Sequence, residues 1–149
     1  MSDITRTTIL VAEDDPDDRL LLEEAFGDSG IPCNLVFAHD GEEVMTYLTQ
    51  YCAAPQRASY PSLILLDLNM PRKNGEEVLE ELGQHPHLQQ IPVVILSTAS
   101  NLPPFLQQHP SVSHCFVKPS SYSGLVCLVR SLFNYLPSAT EWPGVSDDA

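Results

Sequence analysis

Reactive side chains follow four apolar segments of this sequence. Each segment is short and rich in aliphatic residues, a pattern that indicates a strand buried within a parallel sheet. The side chains at or just after the segment ends are those of Glu13, Asp14, Asp67, Ser97, Thr98 and Lys118. Burying an ionised group costs free energy unless the group is paired or bound to a cation, so these positions point to a chemical role.

The three carboxylates predict a site for a divalent metal ion. If Glu13, Asp14 and Asp67 meet in one cleft, each charge raises the pKa of the others unless a cation lies between them. Ligands that are all oxygen favour Mg2+, or alternatively Mn2+, over zinc. Magnesium held by few carboxylates keeps water ligands and shares its other positions with phosphate, so a phosphoryl group is expected nearby.

A lysine and a serine complete a phosphate site in this prediction. The ammonium of Lys118 and the hydroxyl of Ser97 can each donate a hydrogen bond to a phosphoryl oxygen. The sequence has no Walker loop, no G-x-G-x-x-G motif and no arginine-rich cradle that would hold a nucleotide. We therefore expect the phosphate on the protein itself, with Asp67 as the nucleophile that forms an acyl phosphate.

Strands and helices alternate along the chain. Strands are predicted at 8–12, 34–38, 62–67, 91–97 and 114–117. Helix-capping residues follow the first three strands: Asp15, Asp40 and Asn74. The alternation predicts an α/β, doubly wound sheet, in which ligands bind beyond the carboxyl ends of the strands. We expect one domain over residues 1–136 and a tail over 137–149 that either contacts a partner or a second copy or is frayed.

The charge of the chain limits its partners. Its 20 acidic and 7 basic side chains give a formal net charge of -13, which nucleic-acid phosphates and anionic membranes repel. The sequence lacks both an apolar run of about 18 residues and a secretory leader, so we expect a cytoplasmic protein. The four cysteines have no paired spacing and are interpreted as reduced structural thiols.

Four segments, taken together, resemble the receiver domain of two-component response regulators. They are ILVAEDDPDD, LILLDLNMPRKNG, PVVILSTA and FVKP, in this order, and the resemblance covers about residues 8–136. It implies a flavodoxin-like, five-stranded parallel sheet of order 2-1-3-4-5 with helices on both faces. It also implies a signalling module that catalyses only its own phosphorylation and dephosphorylation, and is otherwise not an enzyme.

The resemblance assigns the nucleophile and the metal ligands. Asp67 would accept a phosphoryl group from a sensor histidine kinase. Asp14, Asp67 and the main-chain carbonyl of Asn69 would bind Mg2+ directly, and Glu13 would act through a water molecule.

The resemblance also assigns the switch. Lys118 would pair with the phosphoryl group, and the switch hydroxyl would be that of Ser97, with Thr98 beside it. In this family the peptide bond before the next residue, Pro119, is commonly cis. One departure is that Cys115 stands where the family often has an aromatic switch residue.

The stand-alone regulators of cyanobacterial and bacterial phytochromes look most similar. This implies a phytochrome-type photoreceptor as the kinase and a homodimer as the assembly. A second departure from the wider family is the segment 103–110, whose three prolines allow at most a short helix.

The same residues are compatible with two other functions. A magnesium-dependent phosphohydrolase would also use Asp67 as a transient nucleophile, but such enzymes commonly carry a second acid two residues later, where this chain has Asn69. A receiver-like scaffold that is never phosphorylated would have no need for the acidic cluster with Lys118.

Overall fold

The computed structural model describes residues 7–51, 61–68, 70, 73–98 and 104–136. Within them, five strands alternate with five helices. The strands are β1 (Thr8–Ala12), β2 (Asn34–Ala38), β3 (Leu63–Asp67), β4 (Val93–Ser97) and β5 (Val112–Val117). The helices are α1 (Pro16–Ser29), α2 (Gly41–Tyr51), α3 (Gly75–Leu82), α4 (Pro104–Gln107) and α5 (Tyr122–Leu132), and a 3-10 turn (Phe133–Tyr135) follows α5.

The strands form one parallel sheet in the order β2-β1-β3-β4-β5, which confirms the predicted class and strand order. The register aligns the strand ends, because Asp67 pairs with Leu96 and Ser97 pairs with Val117. An irregularity between Val93 and Val94 shifts the pairing of β5 by one residue. The carboxyl ends of all five strands therefore lie at one edge of the sheet.

Alternate strand residues face two separate hydrophobic cores, as the period of two in a strand requires. One core lies between the sheet and α2, α3 and α4, and contains Leu10, Ile64 and Leu66. The other lies between the sheet and α1 and α5, and contains Ile9 and Leu65. Each such buried aliphatic side chain contributes about 1.5–3 kcal/mol, so the sheet is a rigid base for the residues at its edge.

Capping side chains begin the helices close to that edge. Asp15 accepts a hydrogen bond from the Asp17 main-chain N–H at 2.8 Å, and Pro16 occupies the first turn of α1. Asn74 and Glu77 form a reciprocal capping box at the start of α3, with both hydrogen bonds at 2.9 Å. These are the caps that the sequence predicts, each worth about 1 kcal/mol.

Several element bounds differ from the prediction. Strands β3 and β4 begin at Leu63 and Val93, shortly after the predicted 62 and 91. Helix α1 ends at Gly30, whose φ of 75° is left-handed. Strand β5 begins two residues before the predicted 114. The four-residue α4 agrees with the prediction of at most a short helix in segment 103–110. The tail 137–149 lies outside the described residues. Among the described residues, none of the helices combines the length and the apolar character that a membrane span requires.

Candidate functional site

Three carboxylates meet where β1 and β3 end. Oxygens of Glu13, Asp14 and Asp67 all lie within 4.8 Å of one another. Asp67 is the last residue of the fully buried β3 and is 3% exposed, and Glu13 directly follows the neighbouring β1 and is 2% exposed. Asp14 is more accessible than either. The structure thus brings together the three acids that the sequence singled out.

Lys118 reaches the same point from the end of β5. Its Nζ lies 3.1 Å from Asp67 Oδ2 and 3.2 Å from Glu13 Oε1. Its main-chain N–H donates to the carbonyl of Ser97 at 2.8 Å, which fixes where the side chain starts. The ammonium can therefore contact Asp67 and any group attached to it.

Burial and mutual repulsion change the protonation of this cluster. Burial, together with the charge of Asp67, raises the pKa of Glu13 to about 7, although Lys118 opposes the shift. For Lys118, burial alone would lower the pKa, but the charges of Asp67 and Glu13 outweigh it and raise the pKa. The lysine is therefore held as a cation between two acids.

The donor set fits a hard divalent cation. Three carboxylates bring three negative charges and Lys118 offsets one of them, so the ionised cluster keeps an excess of two. The donors are oxygens, which Mg2+ and Mn2+ prefer. The predicted fourth ligand, the carbonyl of Asn69, lies outside the described residues.

The two hydroxyl residues at the end of β4 differ in placement. Ser97 is 2% exposed and pairs through its main chain with β5 beside Lys118. Thr98 is exposed. Of the two, Ser97 is therefore placed in the interior next to Lys118, whereas Thr98 faces solvent.

Two features that the family resemblance raised are the peptide bond before Pro119 and the aromatic residue near Cys115. The bond between Lys118 and Pro119 is trans, whereas a cis bond was the expectation. Cys115 packs against the core beneath α3 and α4, and Phe116 packs against the core beneath α1 and α5. The aromatic residue therefore lies on the opposite face of the sheet from Cys115.

Sequence reasoning missed two residues of α1 that contact this site. Asp18 Oδ2 lies 3.7 Å from Lys118 Nζ. Arg19 donates from a terminal guanidinium nitrogen to the carbonyls of Glu13 at 3.4 Å and Asp14 at 3.5 Å. The available signal is that Asp18 falls four residues after Asp14, but an acid in the first turn of a helix is also explained by the helix dipole alone.

A cavity of about 320 Å3 adjoins the cluster between α1 and the start of α5. Glu13 and Lys118 line one side, and Leu21, Leu22 and Leu125 line the other. Leu21 is 42% exposed. The cluster thus borders a partly apolar opening to the surface.

The fold and the site together define a class, and the comparisons identify it: the chain belongs to the response regulator receiver domain family, whose sequence model matches residues 9–129. Response regulator Rcp1 of Synechocystis sp. is 38% identical over 112 residues, which are 75% of this chain and 76% of that protein. The structure of the phosphorylated cyanobacterial phytochrome response regulator RcpA is similar, with a TM-score of 0.71 and 36% identity. The Mn2+-bound form of Rcp1 has a TM-score of 0.72 and 34% identity. Each of these two structures covers 89% of this chain and is itself 99% covered.

Proposed function

We propose that this protein is a stand-alone response regulator that accepts a phosphoryl group on Asp67 with the help of Mg2+. One observation carries the proposal: Asp67 ends a strand that is buried along its whole length, its Oδ2 lies 3.1 Å from Lys118 Nζ, and oxygens of two further carboxylates lie within 4.8 Å. A similar chain, RcpA, is described as phosphorylated, and another, Rcp1, as bound to Mn2+. Both descriptions agree with the chemistry that the donor set suggests.

The proposed transfer uses the residues of the site in distinct roles. An Asp67 carboxylate oxygen attacks the phosphorus of a phosphohistidine, a P–O bond forms, the P–N bond breaks, and the leaving imidazole takes up a proton. Mg2+, when held by Asp14, Asp67 and the Asn69 carbonyl, with Glu13 acting through a water molecule, would offset negative charge on the phosphoryl oxygens. Lys118, whose Nζ lies 3.1 Å from Asp67 Oδ2, would donate a hydrogen bond to one of those oxygens.

A sensor histidine kinase is the proposed donor. The relatives named above include a phytochrome response regulator, so a phytochrome-type photoreceptor is the kinase we favour. Because the partner must present a phosphohistidine to Asp67, its docking face has to lie around the rim of the site. An exposed leucine of α1, Leu21, lines the cavity beside that rim.

The proposed output is a change in protein contacts. A phosphoryl group on Asp67 would attract Lys118 and the hydroxyl of Ser97, and so move the ends of β4 and β5. We further propose that residues 1–136 form a single receiver domain and that the tail 137–149 contacts a partner. The protein would form a homodimer and act in the cytoplasm.

Loading by a small phosphodonor tests the proposal. Purified protein incubated with acetyl phosphate and Mg2+ should gain the mass of one phosphoryl group, measured by intact-protein mass spectrometry. The gain should be lost with EDTA and in Asp67→Asn. A wild type that stays unmodified, or an Asp67→Asn variant modified to the same extent, would disprove it.

A further inference from the structure

Asp18 is a fourth carboxylate at the proposed phosphorylation site. It lies in the first turn of α1, and its Oδ2 is 3.7 Å from Lys118 Nζ. It also lines the cavity that Lys118 borders. Its side chain is 43% exposed, whereas those of Glu13 and Asp67 are 2% and 4% exposed. Asp18 therefore stands at the solvent side of the lysine, and the buried acids stand at its inner side.

Lys118 is thus shared among three acids. In the described part of the chain its ion pairs reach Glu13, Asp18 and Asp67. A phosphoryl group arriving on Asp67 needs a donor from Lys118, and any attraction toward Asp18 competes with that hydrogen bond. The charge of Asp18 also repels an incoming anion, and at this short range salt screens the repulsion only in part.

We propose that Asp18 is a positioning residue that acts through Lys118 and slows the loading of Asp67 by anionic phosphodonors. The inference rests on the proposed function and adds a residue to it. Half-exposed ion pairs are weak, with contributions below about 1 kcal/mol. The expected effect of removing the charge is therefore an increase in loading rate of about two- to fivefold.

The test compares Asp18→Asn with the matched variant Asp17→Asn. Both residues lie in the first turn of α1, so each substitution removes one negative charge that interacts favourably with the helix dipole. The initial rate of acetyl phosphate loading, followed by intact mass at fixed Mg2+, should rise about two- to fivefold in Asp18→Asn at low ionic strength. It should stay near the wild-type rate in Asp17→Asn and in the conservative variant Asp18→Glu.

Salt separates the electrostatic role from a structural one. The advantage of Asp18→Asn should shrink as NaCl is raised, because screening weakens the contribution of a half-exposed charge. A rate change that is independent of salt, or one that Asp17→Asn reproduces, would overturn the inference while wild-type loading still supports the proposed function. A wild type that never loads would overturn the proposed function, and the inference with it.

Discussion

Lys118 is the residue on which the balance of charge at the site depends. Its ammonium lies about 3 Å from two carboxylates, those of Glu13 and Asp67, which are nearly inaccessible to solvent. Removing one partner of a buried ion pair leaves the other charges uncompensated, which is more damaging than losing an exposed pair. The same acids are the proposed metal ligands, so a cation should substitute for the lysine in part.

Lys118→Met should therefore make stability depend more strongly on Mg2+. We expect a loss of about 3 kcal/mol in the free energy of unfolding in EDTA, and a larger stabilisation by Mg2+ than in wild type. Urea denaturation with and without Mg2+ measures both quantities. The matched control is Lys73→Met, which breaks the more exposed pair with Glu81 and should cost less than about 1 kcal/mol. Equal Mg2+ dependence in the wild type and the Lys118 variant would contradict the prediction.

Some residues of this cluster can be predicted from the sequence, and others cannot. Asp67 and Lys118 were identified because a charged residue at the end of an apolar strand has few ordinary explanations. Asp18 was missed because an acid in the first turn of a helix does have an ordinary explanation. Its contact with Lys118 depends on the angle of α1 to β5, which sequence spacing does not give. The carbonyl of Asn69, outside the described residues, stays a prediction.

At the scale of elements, the connection from β3 to α3 is held by two close main-chain contacts. Gly75 donates to the carbonyl of Leu68 at 3.1 Å, and Gly41, the first residue of α2, donates to the carbonyl of Lys73 at 2.9 Å. A Cβ atom added at Gly75 would come within 2.8 Å of Leu68 Cα. One added at Gly41 would overlap the Lys73 carbonyl. The segment that follows the proposed phosphoacceptor therefore has no room for a larger residue at either Gly41 or Gly75.

Gly41→Ala should loosen this connection. The new methyl group must displace the Lys73 carbonyl, and we expect a loss of about 2 kcal/mol in the free energy of unfolding, together with weaker Mg2+ binding. Gly27→Ala is the control, because nothing lies within 4 Å of its added Cβ and a helical glycine replaced by alanine gains about 0.5–1 kcal/mol. Urea denaturation and calorimetric Mg2+ titration check both variants. If Gly41→Ala keeps the stability and the Mg2+ affinity of the wild type, the close contact between Gly41 and the Lys73 carbonyl does not constrain this segment.

The sequence predicts where the helices begin. It does not predict the close contacts between elements that are distant in sequence. Asp15 and Asn74 act on their own neighbours in sequence, so their hydrogen bonds follow from local spacing. The contact of Gly41 with Lys73 joins residues 32 positions apart in number, and the shift of register at Val93 depends on how β5 meets β4. Such features arise from tertiary packing rather than from local propensity.

At the scale of the whole molecule, β5 forms one edge of the sheet, and its exposed residue His114 contacts two half-buried aromatic rings. His114 is exposed and its ring stacks on Tyr135 at a centroid distance of 5.3 Å, and Phe116 lies 4.5 Å from the His114 ring. The neighbouring Val117 is 52% exposed. An apolar strand edge of this kind favours association with another chain, which agrees with the proposed homodimer.

Tyr135→Ala should weaken that dimer. Aromatic side chains at the centre of an interface commonly contribute about 2 kcal/mol or more, so the dissociation constant should rise by more than about tenfold. Analytical ultracentrifugation at micromolar concentrations measures it, with and without acetyl phosphate. Tyr122→Ala, at the opposite end of α5 from Tyr135, serves as the control and should dimerise like wild type. A wild type that is monomeric in both conditions would remove the dimer from the account.

The central claim is that Asp67 is the residue that becomes phosphorylated. Borohydride reduces an acyl phosphate to the alcohol, so a phosphorylated aspartate becomes homoserine, which peptide mass spectrometry can locate. After loading with acetyl phosphate and Mg2+, we predict homoserine at position 67 and unchanged Asp14 and Asp18. Homoserine at another position, or at none in protein that has gained a phosphoryl group, would contradict the account.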